Sequence, residues 1–99
     1  MATYKFKSTI WKYKGPASLY FVTLPVELSR KIRKKHGGSE EGWGRLKAVA
    51  GIGDSNWDTA IWFDTKFDSY LLPIKSSVRK KEKIQRDDTL SVVLKIRSD

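Results

Sequence analysis

Ninety-nine residues make one small domain and leave no room for a second core. With no cysteine there is no disulfide staple, thiolate ligand or thiol nucleophile, and one histidine cannot supply a zinc donor set. The net charge of +9 makes nucleic acid a partner class to weigh, and the absence of a long apolar run predicts a cytoplasmic protein with no membrane span.

Strand signals dominate the chain. Tyr4, Phe6, Ser8 and Ile10 alternate with Lys5, Lys7, Thr9 and Trp11, the period-2 pattern of a half-buried strand. Gly15-Pro16 breaks the run, and residues 18–24 read as the second strand of a hairpin. Pro25 suits a helix start, where its missing N–H costs nothing. Residues 26–35 then place Leu28 and Ile32 one turn apart among Arg30, Lys31, Arg33, Lys34 and Lys35, and His36-Gly37-Gly38 stops this basic helix. Residues 42–52 return to strand, with Leu46, Ala48, Ala50 and Ile52 on one side. Gly53-Asp54-Ser55-Asn56 is a turn, and residues 57–64 form the partner strand. A short strand over 69–72 ends at Pro73, a second basic and marginally helical segment covers 75–84, and residues 89–96 are a strand with Leu90, Val92, Leu94 and Ile96 facing one way.

Three echoes recur in order. Thr9-Ile10-Trp11 matches Ala60-Ile61-Trp62, Leu24-Pro25-Val26 matches Leu72-Pro73-Ile74, and Arg45-Leu46-Lys47-Ala48-Val49 matches Thr89-Leu90-Ser91-Val92-Val93. They predict two degenerate units, residues 1–53 and 54–99. One unit of this size cannot bury both faces of its sheet, whereas two related by a pseudo-two-fold axis close a barrel and remove most exposed edges. The expected fold is mainly β, a double-split barrel with two short capping helices.

Catalysis and metal binding are poorly served. His36 lies in a basic helix end with no carboxylate nearby in sequence to orient it. Asp54, Asp58, Asp64 and Asp68 fall along one hairpin, with Asp58 and Asp64 on the same face of a regular strand, where carboxylates usually meet solvent. Gly51-Ile52-Gly53 lacks the third glycine and following helix of a phosphate loop and reads as a strand twist before a tight turn. No enzymatic activity, metal or cofactor is expected.

Binding has better candidates. Half of the twenty Lys and Arg residues lie within 30–35 and 79–86, including Arg30, Arg33, Arg79 and Lys80, although the pseudo-symmetry places those clusters at opposite ends. A second basic set runs along strands, with Lys5 and Lys7, Lys12 and Lys14, and Arg45 and Lys47 each pointing to one face. Trp11 and Trp62 hold matching repeat positions, which predicts a packing role with Trp62 in the core. Trp43 precedes a strand and Trp57 follows a turn; core or cap packing is the favoured reading of both, and the alternative makes them candidate groove aromatics for stacking.

Tyr70-Leu71-Leu72-Pro73-Ile74, Val78-Arg79-Lys80 and Asp88-Thr89-Leu90-Ser91-Val92 resemble the swapped-hairpin unit of AbrB/MazE/MraZ-type proteins. Together with Leu24-Pro25, Trp43-Gly44-Arg45-Leu46-Lys47, Trp57 and Thr59, nearly the whole chain resembles a family of uncharacterised prokaryotic domains. That family has a single-chain double-split barrel, sometimes fused to bacteriocin-protection (YdeI/OmpD-associated) regions. Its late turn usually reads Gly-Asp where this chain has Asp87-Asp88, so a turn needing positive φ is less comfortable. The resemblance implies the fold and no activity. In AbrB-type dimers the DNA-reading surface is rich in basic strand and loop residues, which makes Lys5, Lys7, Arg45 and Lys47 the closer analogue.

The expected function is therefore that of a small monomeric binding domain without catalysis, its partner a protein or small ligand. The alternative is DNA or other nucleic acid held by the basic strand and helix residues.

Overall fold

The computed structural model of the protein describes residues 1–15 and 17–97, without the side chain of Trp43; Pro16 of the expected Gly15-Pro16 break lies outside the described residues. The alternating segments form β1 (Ala2–Lys12), β2 (Tyr20–Thr23), β3 (Arg45–Ile52), β4 (Ser55–Asp64), β5 (Ser69–Pro73) and β6 (Thr89–Ile96). Helix α1 (Val26–His36) follows β2, and α2 (Ser76–Lys81) follows β5. The strands close a barrel in the order β1-β2-β5-β4-β3-β6, every neighbouring pair antiparallel. Closure is the physical answer to sheet edges, whose unpaired N–H and C=O groups would otherwise face solvent or another chain. The expected mainly β barrel with two short helices is the fold.

Exchanging β1, β2 and β3 with β4, β5 and β6 leaves the strand order unchanged. The backbone repeats the relation at atomic detail. Leu24 N–H donates to the Tyr70 carbonyl at 2.9 Å, and Ile74 N–H donates to the Tyr20 carbonyl at 2.9 Å. Both pairs map onto each other by a shift of 50 residues, the same shift that separates the helix starts at Val26 and Ser76. The Leu-Pro echo, 48 residues apart, is thus two residues off the structural correspondence. Pro25 is the N-cap of α1, whereas Pro73 is the last residue of β5, opposite Phe21. A shift of two preserves which face of a strand is buried, so the sequence echo and the register are both tolerated by one hydrophobic pattern.

Inward-facing residues fill the barrel. Ile10, Val22, Leu46, Ile61, Tyr70, Leu72, Val92 and Leu94 are all but inaccessible, joined by Ile32 of α1 and Val78 of α2. Each such aliphatic side chain contributes about 1.5–3 kcal/mol of apolar burial. β2 and β5 run antiparallel and each feeds a helix, so α1 and α2 leave the sheet at opposite ends.

The same alternation corrects one expectation. Ile61 points inward, so Trp62 points outward and is 36% exposed rather than part of the core. Ile10 and Trp11 repeat this arrangement, with Trp11 half-buried on the outside and its Nε1–H donating to Thr23 Oγ1 at 3.0 Å.

Two turns show why particular residues stand where they do. Gly53 (φ +57°) and Asp54 link Ile52 to Ser55 as a two-residue hairpin loop with positive φ at its first position, which Gly supplies without strain. At the late turn Asp87 does adopt a left-handed φ of +73°, the conformation for which glycine is favoured. Asp88 offsets this locally, its Oδ2 accepting from Gln85 N–H at 2.8 Å.

Candidate nucleic-acid interface

Alternation along β1, β6, β3 and β4 sends every second side chain to the outside of the barrel, and ladder register decides which of them meet. Lys5 lies opposite Val93, and Thr3 opposite Lys95, so Lys5 and Lys95 are diagonal neighbours on β1 and β6. Lys95 lies opposite Val49, which puts Lys47 on the next diagonal. Arg45 follows two residues along β3 and faces Trp62 across the β3–β4 ladder. Lys7, two residues beyond Lys5, extends the series at the other end. Same-strand and diagonal neighbours of this kind sit about 7–8 Å apart. The result is one diagonal file, Lys7-Lys5-Lys95-Lys47-Arg45, ending at the Trp62 indole.

Beneath the Arg45 end of the file lies an open groove of about 500 Å³ on the outer face of β6, β3 and β4. Its floor is made of the short outward side chains of Val49 and Ala60, and its walls of Arg45, Lys47, Lys95 and Trp62. Ala60 opposes Lys47 and is all but inaccessible beneath the groove.

Two carboxylates temper the charge. Glu41 forms ion pairs with Arg45 and, at 3.7 Å, with Lys47, and Asp58 sits opposite Val49 at the groove edge. Lys47 is 76% exposed, and ion pairs this open are worth little, so both cations can exchange Glu41 for another anion. Among the described residues Lys5, Lys7 and Lys95 enter no ion pair. Five cations against two carboxylates leave the face positive.

The helix arginines are used differently. Arg30 pairs with Asp68 at 2.8 Å. Arg33 lies 3.9 Å from the Phe63 ring centroid and 3.8 Å from Glu40, and Glu40 accepts a 2.5 Å hydrogen bond from the Tyr70 hydroxyl. Burial and the bond to Glu40 push the Tyr70 phenol far above its ordinary range. Arg79 covers the Tyr20 ring at 4.0 Å and donates to the Ile74 carbonyl at 3.1 Å. Arg33 and Arg79 anchor their helices to the barrel, Arg30 is held only by an open ion pair of little worth, and Lys80 stands exposed without a described partner. The strand set, not the helix set, is what the fold gathers.

Of the candidate aromatics, Trp57 faces inward and is 8% exposed, showing only an edge to the clefts beside α2. The Trp43 side chain lies outside the described residues. The aromatic that reaches the groove is Trp62, which its size and repeat position assign to the core. Lys95 is not among the residues that the sequence singles out, although the strand of Leu90, Val92, Leu94 and Ile96 already implies that it faces outward. What sequence could not supply was its neighbour, because the β3–β6 pairing joins segments with nearly half the chain between them.

His36 is buried at the C-terminal end of α1, its Nε2 2.8 Å from the Tyr4 hydroxyl. Burial first, and Lys35 second, hold its pKa below the ordinary value, while a backbone hydrogen bond with Arg97 opposes them. Asp64 accepts from the backbone N–H groups of Lys66 and Phe67, an Asx turn that shapes the β4–β5 connection. Among the described residues no three His, Asp or Glu side chains are grouped to hold a metal ion, and no helix is long and apolar enough to cross a membrane.

Comparison with known proteins places the chain within a family. No curated protein matches the chain. A family model described as Domain of unknown function (DUF1905) matches residues 6–94, which takes in both helices and nearly all of the six strands. The chain belongs to the DUF1905 family.

Proposed function

We propose that the domain is a non-catalytic binding module whose ligand is a nucleic acid, held through its phosphates by the outer face of β1, β6 and β3. The observation that carries this reading is the single file of Lys7, Lys5, Lys95, Lys47 and Arg45, assembled from three strands by register. Phosphate contacts dominate nucleic-acid affinity, and a line of exposed cations on rigid strands tracks a phosphodiester backbone without the cost of ordering flexible loops. The likeness to AbrB-type units supports it, since basic strand residues form the reading surface there.

The test is fluorescence anisotropy with labelled oligonucleotides over a salt series. Binding in the micromolar range or tighter at near-physiological salt is expected. Arg45→Ala with Lys47→Ala should weaken it and reduce the slope of log K against log salt by about 1 for each phosphate no longer neutralised. Binding that disappears at modest salt and is indifferent to this pair would make the +9 charge a general polycation effect.

A protein partner is the second reading, favoured by the outer aromatic cluster of Trp11, Tyr13, Phe21 and Phe67. Trp11 and Phe21 lie 5.3 Å apart, and Tyr13 and Phe67 are each 48% exposed. Salt-insensitive association abolished by Phe67→Ser would promote it.

A further inference from the structure

We infer that the groove at the Trp62 end of the cation file is a base-stacking subsite, so that the ligand is single-stranded rather than duplex nucleic acid. This rests on the nucleic-acid reading and narrows it.

Three features of the groove carry the inference. First, among the described residues Trp62 is the one aromatic lining this groove, exposed at 36% and fixed on a strand rather than on a loop. Its neighbours Ile61 and Ala60 are almost fully buried, so the backbone beneath the ring is rigid. A buried indole serves the core, whereas an exposed one on a rigid strand beside cations offers a π-face to a ligand. Second, Arg45 is cross-strand to Trp62, with its guanidinium over one face of the ring, 5.6 Å from the centroid, which leaves the opposite face for a base. A base stacked on the indole then has its phosphate within reach of Arg45 and of Lys47 two residues away. Third, Val49 keeps the floor low where a larger outward side chain would fill it, in a groove of about 500 Å³ that a splayed base could enter. In a duplex the bases are paired and stacked inward and cannot enter such a trough, and the convex outside of a six-stranded barrel meets few phosphates of a straight rod. A single strand bends to follow the file and inserts its base at the end. Such stacking is sequence-tolerant because every base has a π-face.

The experiment compares a labelled single-stranded 12-mer with its duplex for the wild-type chain, Trp62→Ala, Trp62→Tyr and Lys5→Ala, at one fixed salt concentration. The inference expects tighter binding of the single strand by the wild type. It expects Trp62→Ala to weaken that binding roughly 5- to 100-fold, the effect of removing one base–aromatic stack, while Trp62→Tyr retains most of it. Lys5→Ala should weaken single strand and duplex alike, since it touches only phosphate. Equal binding of the two forms, unchanged by Trp62→Ala but weakened by Lys5→Ala, would overturn the stacking subsite and leave the nucleic-acid reading standing. Binding of neither form by the wild type would overturn both. Circular dichroism of each variant separates a weakened site from an unfolded chain.

Discussion

Arg45 faces Trp62 directly across the β3–β4 ladder, its guanidinium over the indole, and Glu41 pairs with the same guanidinium. Glu41 therefore competes with any anionic ligand for Arg45 and for Lys47. Glu41→Gln removes one negative charge and frees two cations without changing side-chain length. Nucleic-acid affinity should rise several-fold at low salt, with a steeper salt dependence, and anisotropy titrations would read it. Unchanged affinity would mean that Arg45 and Lys47 do not touch phosphate.

Adjacent residues on β4 should respond very differently to truncation. Ile61 is fully buried, so Ile61→Ala should cost about 2–5 kcal/mol through reduced burial and the cavity left behind. Trp62 is larger but turned outward, and Trp62→Ala should cost only ~1–2 kcal/mol. Chemical denaturation of the two variants measures both values. A Trp62 cost as large as that of Ile61 would return the indole to the core.

Two positive-φ positions should shift stability in opposite directions. Gly44 has φ +69°, and a Cβ there would stand 3.1 Å from Cβ of Phe63. Gly44→Ala should destabilise by about 2 kcal/mol, from left-handed strain and crowding of the Phe63–Tyr70 ring pair. Asp87 already bears that strain at φ +73°, so Asp87→Gly should stabilise by up to ~1 kcal/mol. Thermal melts of the two single variants suffice as the check.

Acid should act through His36. Its folded pKa is depressed, chiefly by burial, so as pH falls through the ordinary value of 6.5 the unfolded chain takes up the proton first. The stability contribution is fully present above that value and declines as pH drops below it towards the folded pKa. Among the described residues the groups facing the ring, Tyr4, Lys35 and the Arg97 backbone, include no carboxylate to reverse the sign. Denaturation midpoints should fall as pH drops below about 6.5, and His36→Gln should flatten that slope. A midpoint that held or rose over this range would contradict the assignment.

Much of the barrel could be read from sequence because each strand's alternation is a local property. Tyr4 and Ile10, Leu46 to Ile52, and Leu90 to Ile96 are spaced by two because one face must leave water, and no tertiary information is needed to see it. The helix over Val26–His36 and the hairpin turn at Gly53 are local for the same reason. The left-handed backbone at Asp87 also agrees with the expectation of a late turn that needs positive φ.

Which residues become neighbours was a different question. Alternation gave Lys5, Lys7, Arg45 and Lys47 an outward face but could not say that β6 lies between β1 and β3, which is what inserts Lys95 and makes a file of separate pairs. Nor could composition place Trp62. Its size argued for burial, while the parity of β4, with Ile61 committed to the core, turned it outward beside Arg45. Parity along a strand is written in the chain itself, whereas register and strand order are set by closing the barrel, where every edge must find a partner and every inward side chain a place in one shared core.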